Sequence, residues 1–195
     1  YFGGGKKLAR SEKALFFLHT AETEQEISMI QEKKGDSPMR HLHKLGVLDA
    51  ETVCIHAVWL DEQDLDILTE TGTAVVVCPQ SNLKLASGIA PLQAMLDRNL
   101  RVGIGTDGAA SNNRLDLIRE MDICAKLHKL PRLDPVAVPA AQITEMATKG
   151  GAAVLGLDKK IGQLEEGKQA DIILINPDRP HLQPMHRADL PFYAA

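Results

Sequence analysis

The sequence predicts an α/β fold, a parallel sheet covered by helices, and three observations predict it. Four short runs, 14–20 (ALFFLHT), 52–58 (TVCIHAV), 74–79 (AVVVCP) and 101–107 (RVGIGTD), are nearly continuous in apolar residues. Strands buried on both faces read this way, whereas half-exposed strands alternate. Helical patterns lie between the runs, and connections this short imply right-handed strand–helix–strand crossovers. Three of the four runs end on a potential metal ligand or acid/base, His19, His56 or Asp107, while the fourth enters a polar loop, CPQSNLKLASG.

The elements follow in order. The opening YFGGGKKLARSEK has three consecutive glycines and no initiator Met; it reads as a loop or as a start within a longer protein. After the first strand, 22–34 opens with acids and closes with lysines, matching the helix macrodipole, and Gly35 stops it. A short helix is expected over 37–45, with Ser37 as N-cap and Pro38 in the first turn. Residues 61–71 and 91–98 fit the same scheme, and the longest helix is expected over 114–130, closed by Pro131. Small residues over 136–156 predict one or two helices. The segment 161–178 alternates like a hairpin, with its turn at Glu165–Gly167 and a strand at 170–175. The terminal LPFYAA could be another strand.

Composition narrows the function. The 195 residues are 44% apolar and 25% charged, ordinary values for a globular protein. Aromatics at 4% leave little stacking surface for single strands, and a net charge of −4 without a basic block excludes a phosphate-backbone binder. Cys54, Cys78 and Cys124 each sit in an apolar run without any C-x-x-C, which suits packed, reduced thiols and a cytoplasmic setting. No apolar stretch approaches the ~18 residues of a membrane helix, and no signal peptide is expected.

Parallel strands of a (β/α) barrel open their carboxyl ends on one face, so residues at those ends converge. Two histidines and an aspartate at matched strand ends are therefore more telling together than any one alone. Gly103, Gly105 and Gly108 around Asp107 are small enough for close approach. Ser111, Asn112 and Asn113 either cap the next helix or belong to the site.

The motifs HTAETEQE, CIHAVWLDEQDLDIL, CPQSNLKLASGIAPL, GIGTDGAASNNRLDL and IGQLEEGKQADIILIN, in that order, resemble the amidohydrolase superfamily. Within it they are most similar to the 5-methylthioadenosine/S-adenosylhomocysteine deaminase branch, near the triazine chlorohydrolases. The resemblance runs from about residue 14 to 178. It implies the C-terminal half of a metal-dependent (β/α)8 TIM barrel over 1–158, and a return segment to a composite β-sandwich over 159–195. His19 and Asp107 match metal ligands, and Glu22, His56 and Asp107 match catalytic positions, with Glu22 and Asp107 also contacting substrate. The implied cofactor is one divalent ion, Zn²⁺ first and Fe²⁺ second. The implied reaction is hydrolytic deamination of adenine nucleoside thioethers. Glu22 would protonate the purine, His56 would hold the attacking water, and Asp107 would take the water's proton. Guanine or triazine hydrolysis is the alternative within the superfamily, and a non-catalytic half-barrel module the alternative outside it.

The family's metal site also uses an H-x-H pair upstream of the His19 strand, absent from this sequence. His41-Leu42-His43 cannot replace it. It follows that strand, and residues i and i+2 of a helix point about 200° apart. His128 is expected to suit the negative pole of a helix end, and His181 and His186 carry no family role. The half-barrel leads us to expect a fragment, a split enzyme completed by an amino-terminal half, or a short module; homo-oligomerisation is expected as well.

Overall fold

The computed structural model describes residues 2–176 and 178–180. The four apolar runs form one parallel sheet in the order β1-β2-β3-β4, from Phe16–Thr20, Thr52–His56, Ala74–Val77 and Val102–Ile104. Sequence order and spatial order coincide with no reversal. This is the winding of a barrel wall, not of a doubly wound sheet, whose strand order turns back on itself.

Helices return the chain across one face. α1 (Phe2–Ser11) precedes β1; α2 (Glu24–Lys34) and α3 (Pro38–Lys44) link β1 to β2, and α4 (Glu62–Thr71) links β2 to β3. Between β3 and β4 run α5 (Pro79–Lys84) and α6 (Leu92–Asp97). α7 (Ala109–Asn112), α8 (Leu117–Leu127), α9 (Ala140–Glu145) and α10 (Gly151–Val154) follow β4, and one π-helical turn, Met146–Gly150, joins the last two. Local chemistry sets several boundaries. Ser37 caps α3 by accepting from the Arg40 N–H, with Pro38 in the first turn. Asp61 and Asp64 form a capping box on α4, and left-handed Gly35 and Gly72 end α2 and α4.

The larger core lies between sheet and helices. Leu18, Cys54, Val75, Val77, Val102 and Ile104 pack there with Met39, Leu65, Leu68, Leu92, Met95 and Cys124. On the opposite face Val53 and Ala74 pack with Leu15, Ile55, Val76 and Val154. All three cysteines are free and buried. Burial pushes the Cys54 thiol up to about 12, as expected of packed rather than reactive sulfur.

Several expectations are corrected. The opening segment is helical despite its glycines. Lys6, 2% exposed, reaches Asp49 at 2.5 Å and Thr52 Oγ1 at 2.8 Å, so tertiary pairing overrides poor propensity. The longest helix of that region starts at Leu117, not 114, because Asp116 accepts from the Ile118 and Arg119 N–H groups and caps it. The polar loop after β3 contains α5. The 161–178 hairpin keeps its turn, with Lys168 N–H bonded to Glu165 O, but forms no strand at 170–175. Ile172, Ile173 and Leu174 are instead 56%, 75% and 95% exposed, with no partner strand among the described residues. His181, His186 and LPFYAA lie outside the described residues. Among the described residues no helix is long and apolar enough to cross a membrane.

Candidate metal and catalytic centre

Strand alternation would point His19 and His56 to opposite faces, since they stand at odd and even positions of paired strands. The backbone breaks that alternation. His56 ends β2 at φ 75°, followed by Ala57 at 48°, and Ala21 and Asp107 sit at 52° and 58°. Left-handed conformations on non-glycine residues are strained, and here they cluster at the strand exits. The result brings His19, His56 and Asp107 together: one potential ligand atom from each lies within 4.8 Å of the others. The two imidazole rings stack with centroids 5.3 Å apart.

Glu22 belongs to the same cluster, with Oε2 at 3.6 Å from His56 Nε2. The start of α2 places it. Thr23 caps the helix by accepting from the Glu26 N–H. The Glu26 carboxylate reaches back to the Ala21 and Glu22 N–H groups, both at 2.9 Å. The loop after β2 closes over this turn, as Val58 and Trp59 donate their N–H groups to Ala21 O. Trp59 Nε1 donates to Ser87 O at 2.7 Å, and Ser87 Oγ lies 3.4 Å from Glu22 Oε1. Glu22 therefore stands in a polar collar built from three loops.

Two serines hold Asp107. Its Oδ2 accepts from Ser81 Oγ at 2.7 Å and Ser111 Oγ at 2.6 Å. Burial pushes this carboxyl up, but the bonds from Ser111, Ser81 and the Gly108 N–H outweigh it and hold the value at about 2. Asp107 is thus held as an anion at the exit of β4. Ser111 serves the site rather than a helix cap, since Asp116 does the capping. Of the three glycines, Gly105 is required by space: a Cβ there would sit 2.8 Å from Val76 Cγ1. At Gly108 the nearest atom would be 3.8 Å away, so close approach does not explain it.

The sequence reading missed a supporting set. Asn82 Oδ1 lies 2.9 Å from His56 Nδ1. Glu120, wholly buried on α8, accepts from Gln80 N–H at 3.1 Å, Gln80 Nε2 at 2.8 Å and Asn112 Nδ2 at 2.5 Å. One signal was present: Glu120 shares a face with the buried Met121, Cys124 and Ala125, and a lone acid there demands buried partners. His41 and His43 stay apart from the cluster, half-buried and exposed on α3, as their spacing required. His128 does not serve a helix pole. It is 5% exposed, and burial holds its imidazole down at about 4, so it is neutral at pH 7.

Two imidazole nitrogens and a carboxylate oxygen converging at strand ends suit Zn²⁺ or Fe²⁺ better than an all-oxygen ion such as Mg²⁺. The adjacent Glu22 adds an acid/base group outside the triad.

The sequence profile of the amidohydrolase family matches residues 6–192. The chain is 46% identical over 179 residues to a 5-methylthioadenosine/S-adenosylhomocysteine deaminase of Syntrophobacter fumaroxidans, covering 92% of this chain and 41% of that protein. A zinc-bound crystal structure of an adenosine deaminase from Xanthomonas campestris is similar with a TM-score of 0.94 at 37% identity, over 98% of this chain and 44% of the other. A zinc complex of an atrazine chlorohydrolase from Arthrobacter aurescens gives 0.88 at 27% identity, over 98% and 42%. The chain spans about two fifths of the length of these relatives.

Proposed function

The chain belongs to the amidohydrolase family, and on that premise we propose that it supplies the C-terminal half of the barrel of a hydrolytic deaminase acting on adenine nucleoside thioethers. The observation that carries this reading is the convergence of His19, His56 and Asp107 within 4.8 Å, with Glu22 beside them. The similarity to a 5-methylthioadenosine/S-adenosylhomocysteine deaminase at 46% identity and to an adenosine deaminase at 37%, against 27% for the triazine enzyme, supports the substrate class.

His19 and Asp107 would hold one divalent ion, zinc before iron, together with ligands from outside this chain. Bound there, the ion supplies Lewis-acid activation of water near neutral pH. The chain's own residues perform the rest. Asp107 takes a proton from the attacking water, and His56 orients that water through its ring nitrogen. Glu22 protonates N1 of the purine as the water oxygen bonds to C6, so charge does not accumulate on the ring. The C6–N bond then breaks, the amine leaves as ammonia with the proton that Asp107 accepted, and the remaining proton of the C6 hydroxyl is released as the carbonyl forms and replaces the one Glu22 gave to N1. The open edges of β1 and β4 would be covered by the remaining strands, from the same polypeptide or a complementing chain, and the reduced thiols fit a cytoplasmic enzyme.

The test is turnover by the zinc-loaded intact protein that carries this sequence. Conversion of 5-methylthioadenosine with stoichiometric ammonia release is expected, at rates above those for guanine or melamine. Turnover of guanine or a triazine but of no adenosine would overturn the substrate assignment.

A further inference from the structure

Helix α5 directs three consecutive polar side chains to three different places. Gln80 goes to Glu120, Ser81 to Asp107 and Asn82 to His56. Ser81 and Asn82 are 0% and 3% exposed, and His56 is 1% exposed. Polar groups this deep persist only where their hydrogen bonds are made.

The Asn82–His56 contact bears on the chemistry. A neutral imidazole carries one proton, and the partner of one nitrogen decides where it resides. With the Asn82 Oδ1 acceptor 2.9 Å from Nδ1, the proton belongs on Nδ1 and the lone pair on Nε2. Nε2 is the nitrogen that faces Glu22 at 3.6 Å. A lone pair there can accept a hydrogen bond from water or ligate a cation; an Nε2–H can do neither.

The surroundings hold the helix on both sides of Asn82. Glu120 clamps Gln80, two residues before Asn82, through its backbone N–H and its side-chain amide. Lys84, two residues after Asn82, donates to Ala110 O at 2.7 Å in α7 and to Asn113 Oδ1 at 2.6 Å at its end. Helix α5 therefore ties the exit of β2 to α7 and to α8.

Resting on the reading of His56 as the group that meets the water, we propose that Asn82 is a positioning residue. It fixes His56 in the Nδ1–H tautomer and so keeps the Nε2 lone pair turned into the site.

The test is ¹⁵N NMR of the intact protein labelled at histidine, at a pH where the ring is neutral. For His56, an Nδ1 shift of the protonated type and an Nε2 shift of the unprotonated type are expected. Asn82→Leu, similar in size but without an acceptor, should lose that preference and lower kcat on the order of 10- to 100-fold. Asn82→Asp, which keeps the acceptor, should restore the tautomer and most of the rate. An Nε2–H tautomer in the native protein overturns the proposal, and this result needs no folded variant. So does an unchanged tautomer in Asn82→Leu. If the native tautomer is as expected and no adenosine is deaminated, the substrate reading fails and the positioning role stands.

Discussion

Ser81 Oγ donates a 2.7 Å hydrogen bond to Asp107 Oδ2, although the two residues are 26 positions apart. The residue after Ser81 engages His56. One short helix therefore sets two of the three members of the cluster. Ser81→Ala leaves Asp107 with the Ser111 bond and more freedom to turn. Zinc affinity should fall on the order of 10-fold, measured by competition with a chromogenic chelator. Unchanged affinity would mean that Ser111 alone orients the carboxylate.

Glu22 approaches His56 Nε2 at 3.6 Å, and Ser87 and the Glu26-held turn fix its position. If it delivers the proton to the purine ring, Glu22→Gln removes a transferable proton while preserving shape. In the zinc-loaded intact protein kcat should drop by about 10²–10⁴-fold with metal content unchanged. Steady-state assays together with elemental analysis check both parts. A variant that keeps wild-type kcat would assign the acid role elsewhere.

Glu120 binds two elements that flank the site, α5 through Gln80 and the end of α7 through Asn112. Glu120→Ala would remove the acceptor of the Gln80 N–H and the Gln80 amide and one of the two acceptors of the Asn112 amide, which keeps Thr106 O. Each stranded buried donor costs about 1–3 kcal/mol. A loss on the order of 3 kcal/mol is expected, seen as a lower urea midpoint with an unchanged slope. A loss below about 1 kcal/mol would show that the clamp is dispensable.

His128 provides a pH signature away from the metal residues. Burial lowers it from 6.5 to about 4 in the folded chain. Between those values the unfolded chain holds a proton that the folded chain excludes, so stability rises with pH across the window. The contribution is complete above about pH 6.5 and is lost as pH falls toward about 4, on the order of 3 kcal/mol in all. His128→Phe should flatten that part of the stability curve, read from urea midpoints over pH 4–7. A wild-type curve already flat there would contradict the burial argument.

The sheet was legible because its strands are apolar on both faces, and the starts of α3 and α4 because Ser37 and Asp61 are ordinary caps. His19, His56 and Asp107 were legible as strand-end residues, since parallel strands share one exit face. What stayed hidden depends on contacts between distant segments. Helix α1 exists through Lys6 and Asp49, 43 residues apart, against the propensity of its glycines. Helix α5 read as a loop because Pro79, Ser81 and Asn82 favour turns locally; only partners 40 and 26 residues away make it a buried element. The 170–175 strand failed for the converse reason: its apolar residues had no partner strand among those described.

That His19 and Asp107 converge to hold a catalytic cation, with His56 beside them, is the core of the proposed mechanism. It is tested most directly by the metal content of the intact protein beside that of its His19→Ala variant, by elemental analysis after dialysis. About one zinc or iron per chain in the wild type, lost in the variant, is the expected result. A wild-type protein that binds no metal after incubation with either ion, or a variant that retains it undiminished, would contradict the claim.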